Sequence, residues 1–496
     1  AKPEFDLVLN QTHRKGTDIS SFYSRKLDKL GFTVLTSLSR QSPVDVAGNG
    51  FTDIPKFNQV TINPKLFWDI NKSANLEFGI NAFYEDRIGG YISAIENGRD
   101  ALHSYYERNK SNRYNMLLKV HKSFTGGSEL NFKNNIYYYK RDMSVSGKDF
   151  SGRQIYSFSE LSYSLNLANH NFITGLNYVG DDFRENDGKY LYYSYNHQTV
   201  GVFVQDDWQI TPQFIAQPGL RLDYNNVYRS ILLPHISFMY KITKDLNARF
   251  SAGSGYKTPN IFDVTQAQEI FFQHVGLGKN SVREKSFGYN FDIGYKLVID
   301  EFVLKINQAF FFSQVKNALS PVVDFYSTPR TQYESISSLS TKGFDTNIYI
   351  ALDELELFAD YSYSDVMETV HNKTAPLETT PKNKLNLTLT YEEEGEWRTG
   401  LEAFYTGEQY LPDHRYIGVG FSPNDAYTPS YWLLGAMFEK MFKNFSVILN
   451  VENILDERQT KYEKIVVPNY GGPLFRPLYM PIDGIVANIA VWLKLR

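Results

Sequence analysis

The chain is expected to form a transmembrane antiparallel β-barrel of 22 strands, with residues 1–496 as one domain. Three observations carry that expectation. Apolar and polar residues alternate with period two from one end of the chain to the other. Short turn-forming links recur between longer polar connections. Aromatic residues make up 16% of the chain, with 36 Tyr, 36 Phe and 5 Trp.

The alternation is plain in individual segments. Leu76, Phe78, Ile80, Ala82 and Tyr84 alternate with Glu77, Gly79, Asn81, Phe83 and Glu85. Leu385, Leu387, Leu389 and Tyr391 alternate with Asn386, Thr388 and Thr390. Near the C-terminus Ile485, Ala487, Ile489, Val491, Leu493 and Leu495 share one face, and Asn488, Ala490, Trp492, Lys494 and Arg496 the other. A strand of this kind has one apolar and one polar face. A soluble sandwich shows the same pattern, so the connections decide between the two.

Ten short links are read, in order, at Asp28–Gly31, Asn71–Ala74, Thr125–Ser128, Ala168–Asn171, Thr211–Gln213, Thr243–Leu246, Ile299–Glu301, Asp353–Glu354, Glu392–Glu396 and Lys443–Asn444. Between them lie long polar connections, among them Ser42–Pro55, Gly90–Tyr106, Pro259–Asn280, Val315–Thr331, Pro412–Pro429 and Leu455–Tyr479. Strict alternation of ten short with eleven long links is expected, and it yields the 22 strands. The chain then allots roughly 22 residues to each strand and its link, which suits strands of ~9–11 residues in a bilayer. Short periplasmic turns facing long extracellular loops are the pattern of bacterial outer-membrane barrels. Trp68, Trp208, Trp397, Trp432 and Trp492 lie near expected strand ends, where aromatic girdles meet the lipid–water boundary.

Composition narrows the function classes. The formal net charge of −4 gives no bias toward nucleic acid. With no Cys, disulfide scaffolds, thiolate zinc sites and Cys nucleophiles are excluded. No apolar run reaches the ~18 residues of a membrane-spanning helix. Ala1-Lys2-Pro3-Glu4-Phe5 is not a signal peptide, so a processed chain is expected. No HExxH, P-loop or G-x-S-x-G motif is present, and adjacent acids such as Asp206 and Asp207 point to opposite faces of a strand. An enzyme is not expected.

Several motifs then resemble the barrel of TonB-dependent outer-membrane receptors. Val202–Trp208 followed by Pro218–Tyr224 is similar to the family's mid-barrel hairpin, and Ser251–Pro259 to its glycine-rich strand ending in an aromatic, a base and a proline. Ser340–Asp345, Thr380–Leu385 and Asn450–Asp456 with Tyr462 follow in the family's order. The motifs cover residues 200–496, whereas residues 1–200 resemble the family in architecture. The resemblance implies outer-membrane transport in a Gram-negative bacterium, with external loops capturing a scarce large solute and TonB supplying the energy. A ferric siderophore ranks first, with cobalamin and haem as alternatives. A passive diffusion channel and a surface-interaction barrel are readings from other classes.

The implied partners are outer-membrane lipid, a plug domain in the lumen, TonB acting through that plug, and a metal-chelate ligand, with a surface lipoprotein as a further candidate. In the family the plug and its TonB box precede the barrel. Here the first strand is expected by about Phe5, so both are absent from this sequence, either removed or carried on another polypeptide.

Three candidate sites follow. Asp45, Asn49, Phe51 and Asp53 resemble a calcium loop, with Gly50 at its sharp turn. Ala47 at the third position and Lys56 at the twelfth break the pattern, and a turn-rich loop with chance acids is the plain alternative. Calcium would matter because cobalamin receptors of the family order their loops with it; no cofactor is otherwise required. His274, beside Phe271, Phe272 and Gln273, matches a loop in which haem-uptake members place an iron ligand, although packing is the commoner role of such a His. Tyr190, Tyr192, Tyr193 and Tyr195, with His103, Tyr105 and Tyr106 in another loop, suit stacking on a catecholate chelate or simple packing among loops.

Overall fold

The computed structural model describes residues 3–98, 103–146, 148–186, 194–260, 274–277, 281–324, 330–411, 426–467 and 473–495. Among these residues, 22 antiparallel strands close into a barrel. They begin with β1 (Glu4–Thr12), β2 (Gly16–Leu27), β3 (Leu30–Gln41), β4 (Lys56–Asn71), β5 (Ala74–Gly90), β6 (Tyr106–Ser123), β7 (Glu129–Val145) and β8 (Lys148–Leu167). Next come β9 (His170–Glu185), β10 (Tyr195–Gln209), β11 (Phe214–Asn225), β12 (Arg229–Lys241), β13 (Leu246–Lys257), β14 (Glu284–Ile299) and β15 (Phe302–Asp324). The circuit ends with β16 (Arg330–Leu352), β17 (Leu355–Val370), β18 (Asn383–Glu393), β19 (Trp397–Thr406), β20 (Tyr431–Met441), β21 (Phe445–Glu452) and β22 (Val486–Leu495). Each strand pairs with its sequence neighbours. Then β22 returns to β1, with Phe5 opposite Leu495 and Thr12 opposite Asn488.

All ten expected short links lie together at one end of the barrel. Asp28, Asp300 and Asp353 open their turns at positive φ, a conformation that Asp tolerates better than most residues. The other end departs from strict alternation. Three of its links, at residues 13–15, 146–147 and 226–228, are as short as the turns.

The causes are local. β7 and β8 run to 17 and 20 residues, well past the ~9–11 that a bilayer needs, so polar sequence continues the ladder rather than forming a loop. β15 and β16, at 23 residues each, likewise absorb most of the loop expected over Val315–Thr331. The β11–β12 corner is tight because the Asn225 side-chain oxygen accepts from the amides of Val227 and Tyr228, both at 2.9 Å.

The register separates two faces. Leu161, Leu176, Val202, Leu222 and Leu232 stand opposite one another across β8 to β12, all outward and between 43% and 59% exposed. Such a row belongs against an apolar medium. The inward face is polar. Near the turn end it carries the pairs Lys26–Asp69 at 2.7 Å, Lys119–Glu77 at 3.0 Å and Lys133–Glu160 at 3.5 Å. Partly solvated pairs of this kind contribute about 0–1 kcal/mol each and define a wet lumen more than they stabilise it.

Trp68, Trp208 and Trp397 face outward at the turn end, and Trp432 faces outward at the loop end. Trp397 lies between Tyr391 and Phe438, with ring centroids 4.9 and 6.2 Å away. Trp492 departs from the girdle. Its parity is inward, its indole donates to Asp6 at 3.3 Å, and the Lys494 ammonium lies 3.8 Å from its ring centroid.

Replacing Leu176, in the middle of the outward row, by Arg is expected to cost about 2–4 kcal/mol when the chain is folded into phospholipid vesicles. Asn81→Arg on the inward face should cost under about 1 kcal/mol. Urea unfolding in lipid checks this, and equal costs at the two positions would reject the assignment of faces.

Candidate binding mouth and lumen wall

The first candidate lies in the connection between β3 and β4. The Asp45 carboxylate accepts from the backbone amides of Gly48 (2.6 Å), Asn49 (3.1 Å) and Gly50 (2.6 Å). Asp53 accepts from Val46 (2.7 Å) and Ala47 (2.8 Å), and the Asn49 side-chain oxygen accepts from Phe51 (2.9 Å). The two carboxylates thus accept backbone amides that fold the loop upon itself. Gly48 and Gly50, at φ of 71° and 80°, supply the left-handed backbone that makes this possible.

Among the described residues, no group of three or more His, Asp or Glu converges as a metal site. Asp45 accepts three amides and Asp53 two, both on Oδ2, which leaves lone pairs of each carboxylate to spare. Burial pushes the Asp53 carboxyl above its ordinary range, partly offset by the amides of Ala47 and Val46. The folded loop thus holds that proton to higher pH than the unfolded chain does. Its contribution to stability falls as pH rises through the interval between the two values and is constant above it.

Phe51, placed as a calcium ligand through its carbonyl, also packs through its ring. It is 9% exposed and meets Tyr91, Tyr105 and Phe475 at centroid distances of 5.2, 5.9 and 5.5 Å. Tyr105, a candidate ligand residue, also meets Phe475 at 5.3 Å, and His103 lies edge-on to Tyr91 at 5.2 Å. Backbone bonds follow the same seam: Ile92 donates to Gly50, Thr52 to Gly90, and Tyr91 to Tyr105. Arg458 reaches from the β21–β22 connection to the Val46 carbonyl at 2.9 Å. Three connections distant in sequence are thereby fastened into one wall.

That third connection has its own polar core. Gln459, fully buried, donates to Glu463 and to the Pro477 carbonyl, both at 2.9 Å, and accepts from the Tyr479 amide at 3.0 Å. Arg476 pairs with Glu463, and Gln409 from the β19–β20 connection donates to the Tyr479 carbonyl at 2.8 Å.

Tyr195 belongs to a second aromatic group. Phe150, Phe183 and Tyr195 follow one another at centroid spacings of 6.4 and 5.7 Å, then His197 at 5.3 Å and Tyr228 at 5.9 Å. Beneath them Gln154 donates to Asp181 at 2.7 Å, and the Tyr195 hydroxyl donates to the same carboxylate at 3.4 Å. Sequence reasoning missed Phe150, Phe183, His197 and Asp181, which lie on one parity of β8, β9 and β10, recoverable only once the register is known.

Tyr106 begins β6, with its hydroxyl 3.2 Å from that of Ser144. Tyr190, Tyr192 and Tyr193 lie outside the described residues. His274 is described in its backbone, which opens a short strand, His274–Leu277, running parallel to β16 with His274 opposite Thr331.

Two of the sequence motifs, Pro218–Tyr224 and Ser251–Pro259, meet in a polar knot on the inner wall. Asp223 of β11, 1% exposed, accepts from Arg221 at 2.8 Å and from the Tyr256 hydroxyl of β13 at 2.9 Å. Asn225 donates to Thr199 at 2.9 Å. Gly201 of β10 lies directly beneath Asp223 and Asn177, where a Cβ would collide with both side chains.

A closed barrel with an outward apolar row and a polar interior defines a transmembrane β-barrel. Residues 27–454 match the family described as "TonB dependent receptor-like, beta-barrel", and the chain belongs to that family. It is 27% identical over 343 residues to an uncharacterized TonB-dependent receptor of Haemophilus influenzae, covering 67% of this chain and 94% of that one. It is 21% identical over 295 residues to the ferric enterobactin receptor of Pseudomonas aeruginosa, covering 55% of this chain and 39% of the receptor. In fold it is similar to the FrpB iron transporter of Neisseria meningitidis, with a TM-score of 0.77 at 12% identity, over 100% of this chain and 82% of the transporter.

Two outcomes test the wall. Chelating divalent cations tests the calcium reading: faster amide exchange at Gly48, Asn49 and Gly50 supports a bound ion, and unchanged exchange rejects it. Asp45→Ala should accelerate it about tenfold or more, the scale of losing hydrogen bonds to a charged group. Gly201→Ala should destabilise the barrel by about 1–3 kcal/mol by displacing the Asp223 and Asn177 side chains, read as a lowered midpoint of thermal unfolding.

Proposed function

We propose that this chain is the barrel of an outer-membrane receptor importing an anionic iron chelate, a ferric siderophore foremost, with energy supplied through TonB. The observation that carries the reading is the mouth of the conduit. Loops from both halves of the chain form a fixed wall of rings and polar groups above a polar lumen. Tyrosine and histidine rings give flat apolar surface for stacking, and their polar edges suit the oxygens of a chelate. In this reading the loop end is extracellular, the turn end periplasmic, and the outward apolar row meets lipid. A plug domain in the lumen would seal a barrel of this size and transmit the pull of TonB. Two of the similar proteins are named for iron transport or for ferric enterobactin, which supports iron over cobalamin.

The test is radiolabelled uptake by cells whose only receptor is the full-length form of this protein. Ferric enterobactin, haem and cobalamin are supplied in turn. Uptake of the iron chelate that vanishes without TonB is expected, and Tyr195→Ala should weaken chelate binding about tenfold, roughly one stacked ring contact. Uptake of any small solute regardless of TonB would replace this reading with a passive channel.

A further inference from the structure

We infer that the outer wall of the barrel binds a membrane lipid with more than one phosphate on its headgroup, in the leaflet at the loop end. The site is built on Arg153 of β8. Directly opposite it stand Arg184 of β9 on one side and Lys140 of β7 on the other. All three share the outward parity of Leu161, Leu176 and Phe132. Like charges directly opposite on neighbouring strands repel, and here three follow in one row.

The nearby carboxylates leave the centre of the row unmatched. Arg184 donates to Asp182 at 2.7 and 3.1 Å, and Lys140 pairs with Asp142 at 3.0 Å, each with the same-face neighbour on its own strand. The corresponding neighbours of Arg153 are Ser151 and Ile155, which carry no charge. Asp182 also accepts from Asn196 at 2.7 Å, and Asp142 from Ser151 at 2.6 Å. Among the described residues the exposed Arg153 side chain has neither an ion-pair nor a hydrogen-bond partner. The same holds for Lys110, on β6 opposite Asp142, which extends the basic surface one step further.

The height of the row decides what supplies the missing charge. Leu161 lies six residues from Ile155, whose level is shared by Tyr138 and Tyr114, ring centroids 6.2 Å apart. In the other direction it lies six residues from Leu167, whose level is shared by His170 and Trp208. Aromatic residues thus bracket the apolar row evenly. At ~3.3 Å per residue and a tilt of about 40°, the two levels are roughly 30 Å apart across the membrane, the thickness of its hydrocarbon core. Arg153 is one outward position beyond the Tyr138 level, at headgroup depth.

A lipid fits this surface with its phosphates on the basic row and its chains beside the exposed Ile155, Tyr114 and Leu161. Inorganic phosphate would use only the upper half. Strands about 4.8 Å apart spread the three cations over roughly 10 Å, room for two phosphates, and a guanidinium fork accommodates two oxygens of each. The site faces away from the lumen, so neither the imported solute nor anything filling the barrel enters the argument.

The experiment uses the full-length receptor in phosphatidylcholine nanodiscs, titrated with bis-phosphorylated lipid A and read as lipid retained per protein. Arg153→Gln should weaken retention about tenfold, the scale of losing one charge-assisted contact, and Arg153→Lys, which keeps the charge and loses the fork, by less. Arg25→Gln, outward at the turn end, should change nothing. Thermal unfolding separates binding from folding. In pure phosphatidylcholine Arg153→Gln should unfold no earlier than wild type, because repulsion is relieved, and with lipid A it should unfold earlier. Equal retention in wild type and Arg153→Gln, the same loss in Arg25→Gln, or earlier unfolding of Arg153→Gln in pure phosphatidylcholine would overturn the site. Phosphatidylglycerol retained as strongly as lipid A would overturn the requirement for several phosphates. Displacement of lipid A by an equal concentration of inorganic phosphate would overturn the lipid.

Discussion

Closure of the ladder between β1 and β22 is the constraint on which everything else depends. In an apolar medium each unpaired amide or carbonyl costs several kcal/mol, so a sheet that large survives only without edges. The seam is sealed by backbone pairing from Phe5–Leu495 to Thr12–Asn488, and side chains reinforce it: Asn488 donates to Asn10 at 2.9 Å. Because an antiparallel circuit needs an even number of strands, β1 starts and β22 ends at the same rim. Alternation then does the rest, dividing each strand between medium and lumen.

The lumen wall and the mouth use different physics. On the wall, charge pairs stay partly exposed, and Asp223 is buried in a polar knot that ties β10, β11 and β13 together. At the mouth, chain that would otherwise be costly to order is held by ring contacts and by carboxylates that accept backbone amides. Both arrangements position polar groups in advance of any ligand, and the ordering cost is met during folding rather than at binding.

Much of this was legible in the sequence because its causes are local. Strand faces follow from a period of two, and turns from residues such as Asp28 and Asp353 that accept positive φ. The strict loop alternation failed because a hairpin continuing into water, as β7 and β8 do, reads as polar sequence just as a loop does. Asp45 and Asp53 were legible as acceptors but not in what they accept, since backbone amides are present in every sequence. Trp492 was grouped with the girdle by its position near a strand end, although its own alternation already put it on the polar face, where pairing with β1 sets it beside Asp6. Tyr105 and Phe51 were singled out for separate roles, and their contact joins residues more than fifty positions apart in the chain.

The fastening of three connections through Phe51, Tyr105, Phe475 and Arg458 also bears on how such a mouth can diversify. A single connection exchanged with a relative would arrive without its mates, exposing rings and stranding a guanidinium. Viable recombinants should inherit these segments together, although they lie far apart in the chain. Drift in one of them would then select compensating changes in the others, so the mouth evolves as a single character while the turns at the opposite rim vary independently.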